Sequence, residues 1–195
     1  MKPVLIAALC LAVATAATVE SQSASAKIAR LESGRVAWGS RIDFTPGELN
    51  SWVRDEAREL VPQGVRNLRL TLAAGAATGS ADIDFLELRR AATGEAPGWV
   101  MKNLFAGERP VTVTAHFESR NGRARVDVDS VQISGVPIEG AALDFLIENY
   151  LRPTFPTAKV GEWFGLDYRV DHFAVSPAGM AIYIGRPSLA AIRPR

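Results

Sequence analysis

Two pairs of carboxylates have the spacing that could do chemistry: Asp82 and Asp84 in "DID", and Asp127 and Asp129 in "DVD". Residues at i and i+2 of a strand project from one face, so either pair could share a Ca²⁺ ion or divide the roles of acid and base. The plainer reading is a wetted sheet face on which these acids pair with Arg69, Arg123 or Arg125, and the polar alternation around them favours it. His116 and His172 are the only histidines, each inside a strand pattern, and read as strand residues rather than bases or metal ligands. The chain has no G-x-S-x-G elbow, no H-E-x-x-H, no phosphate-cradling glycine loop and no C-x-x-C. A hydrolase of envelope esters or glycans would need the acids, or a Ser/His pair, to converge in one cleft. The expectation is therefore no enzyme, no metal and no cofactor.

The elements that must position these residues are legible from period and punctuation. "FTPGELNSWV" starts a helix: Thr45 is an N-cap, Pro46 suits the first turn, Glu48 completes a capping box, and Phe44 can staple onto Leu49. Leu49, Trp52 and Val53 then recur at helical spacing, and "VPQG" at 61–64 ends the pattern. The period changes to two in "NLRLTL" and "GSADIDF", joined by the small-residue link "AAGAATG". "PVTVTAHF" and "ARVDVDSVQI" form a second pair around Asn121-Gly122, the dipeptide of a type I′ hairpin. The apolar phase slips between Val128 and Val131, which predicts a bulge. "YRVDHFAV" and "GMAIYI" flank "SPAG", a turn with Pro177 pre-set and Gly179 free to take positive φ. Helix, two strand pairs, helix and strand pair predict an α+β domain with a strongly curved antiparallel sheet, built from hairpins and wrapped around one or two helices.

The chain has 195 residues and a formal charge of +1 with signs intermixed, which argues against nucleic acid as a partner. Its start, Lys2 followed by an apolar run from Val4 to about Ala17, reads as a secretory signal peptide within residues 1–26. Cleavage could follow Ala16 in "ATA" or Ala26 in "ASA", and the run is short of the roughly 20 residues of a membrane span. Cys10, the only cysteine, falls inside that leader, so no disulfide framework is expected. Residues 27–186 read as one domain of a secreted, periplasmic protein, and 187–195 as a flexible tail. Roughly 170 residues suffice for one core without covalent staples.

The apolar excess is the unusual feature. In "AALDFLIENYL", Leu146, Ile147 and Tyr150 belong to an arc covering about half the helix circumference, wider than a surface helix requires. Trp99 and Phe105 lie in a mixed segment with two glycine breaks, and Trp163 and Phe164 lie in turn-rich "KVGEWFGL". Such groups either cap the core or line an apolar groove. A packed core would indicate an envelope assembly or scaffold protein.

The motif order "FTPGELNSWV", Asn-Gly hairpin, "VDSVQISGVPIEGAALDFLI" and "VDHFAVSPAGMAIYIG" resembles that of LmeA-like and YpmS-like small extracytoplasmic proteins, short relatives of the tubular lipid-binding superfamily. The resemblance covers residues 40–186, apart from the longer segment at 87–108. It implies a curved sheet about a helix, an acyl-chain ligand, contact with membrane surfaces, and lipid binding or transfer without covalent chemistry. On that reading Leu49, Trp52, Val53, Leu146, Ile147 and Tyr150 line the apolar interior, with Trp99, Phe105, Trp163 and Phe164 beside it.

Overall fold

The computed structural model describes residues 19–55, 63–94, 107–151 and 160–185. Two antiparallel sheets and the helices packed on them make the α+β architecture. Helix α1 covers 19–32, strand β1 Arg41–Phe44, and helix α2 Pro46–Asp55. The hairpin β2 Val65–Ala73 and β3 Ala76–Asp84 leads into α3 Phe85–Thr93. Hairpin β4 Glu108–Arg120 and β5 Arg123–Ile133 is followed by the short β6 Val136–Pro137 and by α4 Gly140–Leu146, which continues as a π turn over Ile147–Leu151. Strand β7, Phe164–Gly165, precedes the last hairpin, β8 Val170–Ser176 and β9 Gly179–Ile184.

The larger sheet has the order β2-β3-β4-β5-β6, with β7 added against the start of β5, and the smaller has the order β1-β9-β8. The larger sheet is open, with β2 at one edge. Turn chemistry sets its registers. Asn121 and Gly122 take φ of 51° and 72°, as a type I′ turn requires. Pairing jumps from Thr114↔Ser130 to Ala115↔Val128, so Asp129 is the bulged residue predicted by the phase slip. The β2–β3 link is shorter than its small residues suggested: both strands run through it and leave only Ala74 and Gly75 to turn. At Gly179 φ is 140°, and an added Cβ would press into the carbonyl of Phe44, so only glycine lets β9 lie this close to the end of β1.

The sheets meet at the outer edge of β8. Gly122 N–H donates to Asp171 O at 2.7 Å, and Gly75 N–H donates to Val175 O at 2.9 Å. Between them Ser119 Oγ donates to Phe173 O at 2.7 Å and accepts from Phe173 N–H at 2.9 Å. The hairpin ends of one sheet thus satisfy the open edge of the other, which would otherwise be a template for intermolecular pairing. Asn50 does the same on β2: its side chain accepts from Leu70 N–H at 2.7 Å and donates to Leu70 O at 2.8 Å, which fixes α2 to the larger sheet.

Two apolar clusters result. Ala24, Leu31, Val36, Ile42, Phe44 and Ile184 are buried between α1, α2 and the small sheet, with Leu49 and Trp52 packed against them. Phe85, Leu88 and Val111 are buried between α3 and the large sheet, joined by Val113, Ile133 and Leu146. Burying a large aliphatic or aromatic side chain contributes about 1.5 to 3 kcal/mol relative to exposure. Helix α3 begins at Phe85, which the alternation of "GSADIDF" places in a strand, and runs on into the segment with no clear element by sequence. Asp84 caps it, its Oδ1 accepting from Leu86 N–H at 2.9 Å and Glu87 N–H at 3.0 Å, and Gly94 ends it in the left-handed region. The leader boundary considered at Ala26 falls inside α1, whose Ala24 is wholly buried.

Candidate functional site

The carboxylates that opened the sequence reading are occupied one by one. Asp82 accepts from Asn67 Nδ2 at 2.8 Å, Asp84 is the α3 cap, and Asp127 holds Arg125 at 2.7 Å. The Arg125–Asp127 pair is made along one strand, not across two. Asp129 meets His116, which stands opposite Asp127 in the β4–β5 register. That pair lies on the outward face of the sheet, with the imidazole side chain 58% exposed. His172 sits on the other sheet, 2.7 Å from Asp171 and stacked on Tyr183 at 4.4 Å. Among the described residues no group of three or more His, Cys, Asp or Glu side chains is placed to hold a metal ion.

The opposite face of the same sheet is apolar. In β4 and β5, Val111, Val113, Ala115 and Phe117 stand across from Ile133, Val131, Val128 and Val126. Towards β2 the surface continues through Ala77, Gly79 and Ala81 of β3 to Leu70 and Leu72. Opposed residues of an antiparallel pair share a face, so these side chains form one continuous surface. Helices α3 and α4 close it at the Val111 end, where Leu146 packs against the Phe85 cluster. Near the β4–β5 turn Phe117 meets Phe173 of β8 edge to face, with ring centroids 6.0 Å apart. Between these ends Ala77, Gly79, Ala115, Val126 and Val128 are only half-buried, and among the described residues no large side chain is fully buried. Small residues, Ala77, Gly79 and Ala115, thus lie in the middle of this face and larger ones at its ends, and this strip is termed the trough.

The residues expected to line an apolar interior are distributed over several places. Leu49 and Trp52 belong to the cluster on the small sheet. Val53 lines a cleft of about 940 Å³ between α2 and β2, in the company of Arg54, Arg66, Arg69 and Glu87, which is polar in character. Leu146 lies at the α3 end of the trough, and Ile147 is half-buried beside it. Tyr150 is described by its backbone alone, in the π turn. Trp163 and Phe164 lie at the other end, where Phe164 pairs with Ala124 and the Arg120 guanidinium sits 4.7 Å above the Trp163 ring. Ala124 and Ile133 stand nine steps apart along β5, roughly 30 Å at about 3.4 Å per residue. Trp99 and Phe105 fall outside the described residues.

Helix α4 is not enclosed: it has no buried residue, and Phe145 is 42% exposed. Its wide apolar arc is divided between the Phe85 cluster on one side and solvent on the other. Sequence reasoning missed the trough's floor as a site because each strand, taken alone, reads as ordinary alternation; only the register assembles Ala77, Ala115 and Val128 into one surface. No family model matches this chain, and neither a curated protein nor a solved structure does.

Proposed function

We propose that the apolar face of the larger sheet receives an acyl chain, and that the protein binds or transfers lipid in the cell envelope, as its resemblance to tubular lipid-binding proteins implies. The observation that carries this reading is the half-buried trough over Ala77, Ala115 and Val128, closed at its ends by Leu146 and by the Phe117–Phe173 contact. On this reading the sheet curls over the ligand, and a bulge such as that at Asp129 is the device that would bend it. About ten methylenes half withdrawn from water contribute about 4 kcal/mol, at about 0.8 kcal/mol per methylene fully buried. No proton transfer or covalent step is required, and the acids on the outer face serve its solvation.

The test is to purify the protein without detergent and to extract it with organic solvent for mass spectrometry, alongside titration with a fluorescent fatty acid. A co-purified lipid or saturable uptake is expected. A lipid-free extract with no uptake would assign the chain to the scaffold class.

The secreted form on this reading begins at Ala17. Cleavage after Ala26 would remove the stretch of α1 that carries buried Ser21 and Ala24, and with it Ser23, which donates to Glu48 at 2.5 Å. The intact mass of the released protein should match cleavage after Ala16. A mass beginning at Lys27 would show instead that the small-sheet cluster holds without residues 19–26.

A further inference from the structure

The end of the molecule beyond the β4–β5 turn collects aromatic rings and guanidinium groups from three separate segments. Trp38, 47% exposed, lies under the Arg169 guanidinium at 4.4 Å. Trp163 lies under Arg120 at 4.7 Å, and Arg123 donates to the Trp163 carbonyl at 3.4 Å. Tyr168 is 50% exposed. Backbone bonds tie two of the segments together, Leu166 N–H donating to Gly122 O at 2.8 Å and Gly122 N–H to Asp171 O at 2.7 Å, and the Arg169–Trp38 contact brings in the third.

Tyr168 and Arg169 both take positive φ, 54° and 62°, a conformation that costs a bulky residue free energy. The surroundings hold it. Val170 N–H donates to Asp167 O at 3.1 Å and Gly185 N–H to Arg169 O at 2.9 Å, so Tyr168 is held outward at the tip of a fixed turn. Positive φ at both central residues is the geometry of a type I′ turn, here built from a tyrosine and an arginine instead of the usual glycine or asparagine, and strained positions cluster at binding surfaces. Residues 34–38, 120–123 and 162–169 together carry four arginines, Arg35, Arg120, Arg123 and Arg169, against two acids, Glu162 and Asp167.

We propose that this end docks on a membrane surface rich in anionic phospholipid. Tryptophan and tyrosine have an apolar body and a polar tip and settle at the head-group level, while arginine keeps its stem in the interface and its charge on the phosphates. An exposed patch combining both, with excess positive charge, is complementary to an anionic bilayer in charge and in polarity. The docking surface adjoins the Phe117 end of the trough and would present that end to the bilayer. It deepens the lipid-binding reading, but its side chains are not those of the trough floor, so the two can fail separately.

The test is sedimentation with phosphatidylcholine vesicles, with and without phosphatidylglycerol, of the chain as the expressing cell releases it. Binding is expected only to the anionic vesicles. It should weaken about fivefold for each of Arg120, Arg123 and Arg169 replaced by glutamine, and it should be lost in the double variant Trp38→Ala, Tyr168→Ala. Tyr168→Ser alone, at an exposed turn, guards against a folding defect, and melting curves together with fatty-acid uptake in the absence of vesicles should stay at the parent values. Equal binding to neutral and anionic vesicles, or parent-level binding by these variants, would overturn the proposal. Retention on heparin without vesicle binding would reassign the patch to a soluble polyanion.

Discussion

Glu48→Gln is expected to lower the stability of the fold by about 3 kcal/mol, the lower end of the range for breaking a buried ion pair. Glu48 is 6% exposed. Its carboxylate takes two hydrogen bonds from Lys27 Nζ, at 2.5 and 2.7 Å, one from Ser23 Oγ at 2.5 Å and one from Thr45 N–H at 2.8 Å. The same residue donates its own N–H to Thr45 Oγ1 at 3.1 Å, which completes the capping box. One side chain therefore starts α2 and anchors α1. Glutamine keeps the shape and part of the cap but leaves the Lys27 ammonium, 31% exposed, without its counter-charge. The lower end of the range applies because that partial exposure lets water reach the cation. Replacing Lys27 with methionine in the same molecule should recover most of the loss, since the unmatched charge is then gone. Urea unfolding of the single and double variants measures both effects.

The pH dependence of that contribution has a definite sign. Burial pushes the Glu48 carboxyl up, while hydrogen bonds from Lys27, Ser23 and Thr45 N–H pull it down by more, so it ends below the usual glutamate value of 4.5. A carboxyl whose pKa is lower in the folded chain than in the unfolded one binds fewer protons when folded. Its stabilisation is complete above the unfolded value and is lost as pH falls through the folded value. The parent should lose this stabilisation in that acid window, and Glu48→Gln should lack that component of the slope. Parallel pH profiles for the two proteins would show that the carboxylate is not the group responsible.

The Thr45–Glu48 box was legible because its two partners lie three residues apart, within reach of local rules. The same holds for the Asn121-Gly122 turn, for the bulge at Asp129 and for the φ of Gly179. Helix α1 was hidden because, ahead of Leu31, its buried positions are the small residues Ser21 and Ala24. Small residues permit close helix packing, yet in sequence they look like the end of a leader. Helix α3 has a local signal too, Asp84 with Glu87 three residues on and Gly94 beyond the last turn, but the alternation of "GSADIDF" masks it by continuing the strand period to Phe85. Ser119 and Asn50 were beyond local reading altogether, since their backbone partners are 54 and 20 residues distant. Nothing in the alternation of the final hairpin announced that it pairs with β1 as a second sheet. The trough lies on the same side of that divide. Its polarity was written in each strand, but its continuity came from registers fixed by turns and one bulge.

Ala115→Trp is expected to abolish fatty-acid uptake, with at least a tenfold loss of affinity, while the protein stays folded. Ala115 is half-buried at the middle of the trough, opposite Val128 on one side and Ala77 on the other. A tenfold loss corresponds to about 1.4 kcal/mol, which is less than two methylenes' worth of burial at about 0.8 kcal/mol each. An indole that excludes even a short stretch of chain therefore exceeds it. On the lipid-binding reading the space is open, and the ring should enter without the 1 to 3 kcal/mol typical of overpacking a filled core. That contrast separates the two readings of the interior. If acyl chains occupy the trough, uptake falls and the urea midpoint holds or rises. If the interior is instead closed by its own side chains, the indole has nowhere to go and the midpoint must fall. Full uptake by a stable Ala115→Trp protein would place the acyl chain elsewhere, with the polar cleft beside Val53 the next place to probe.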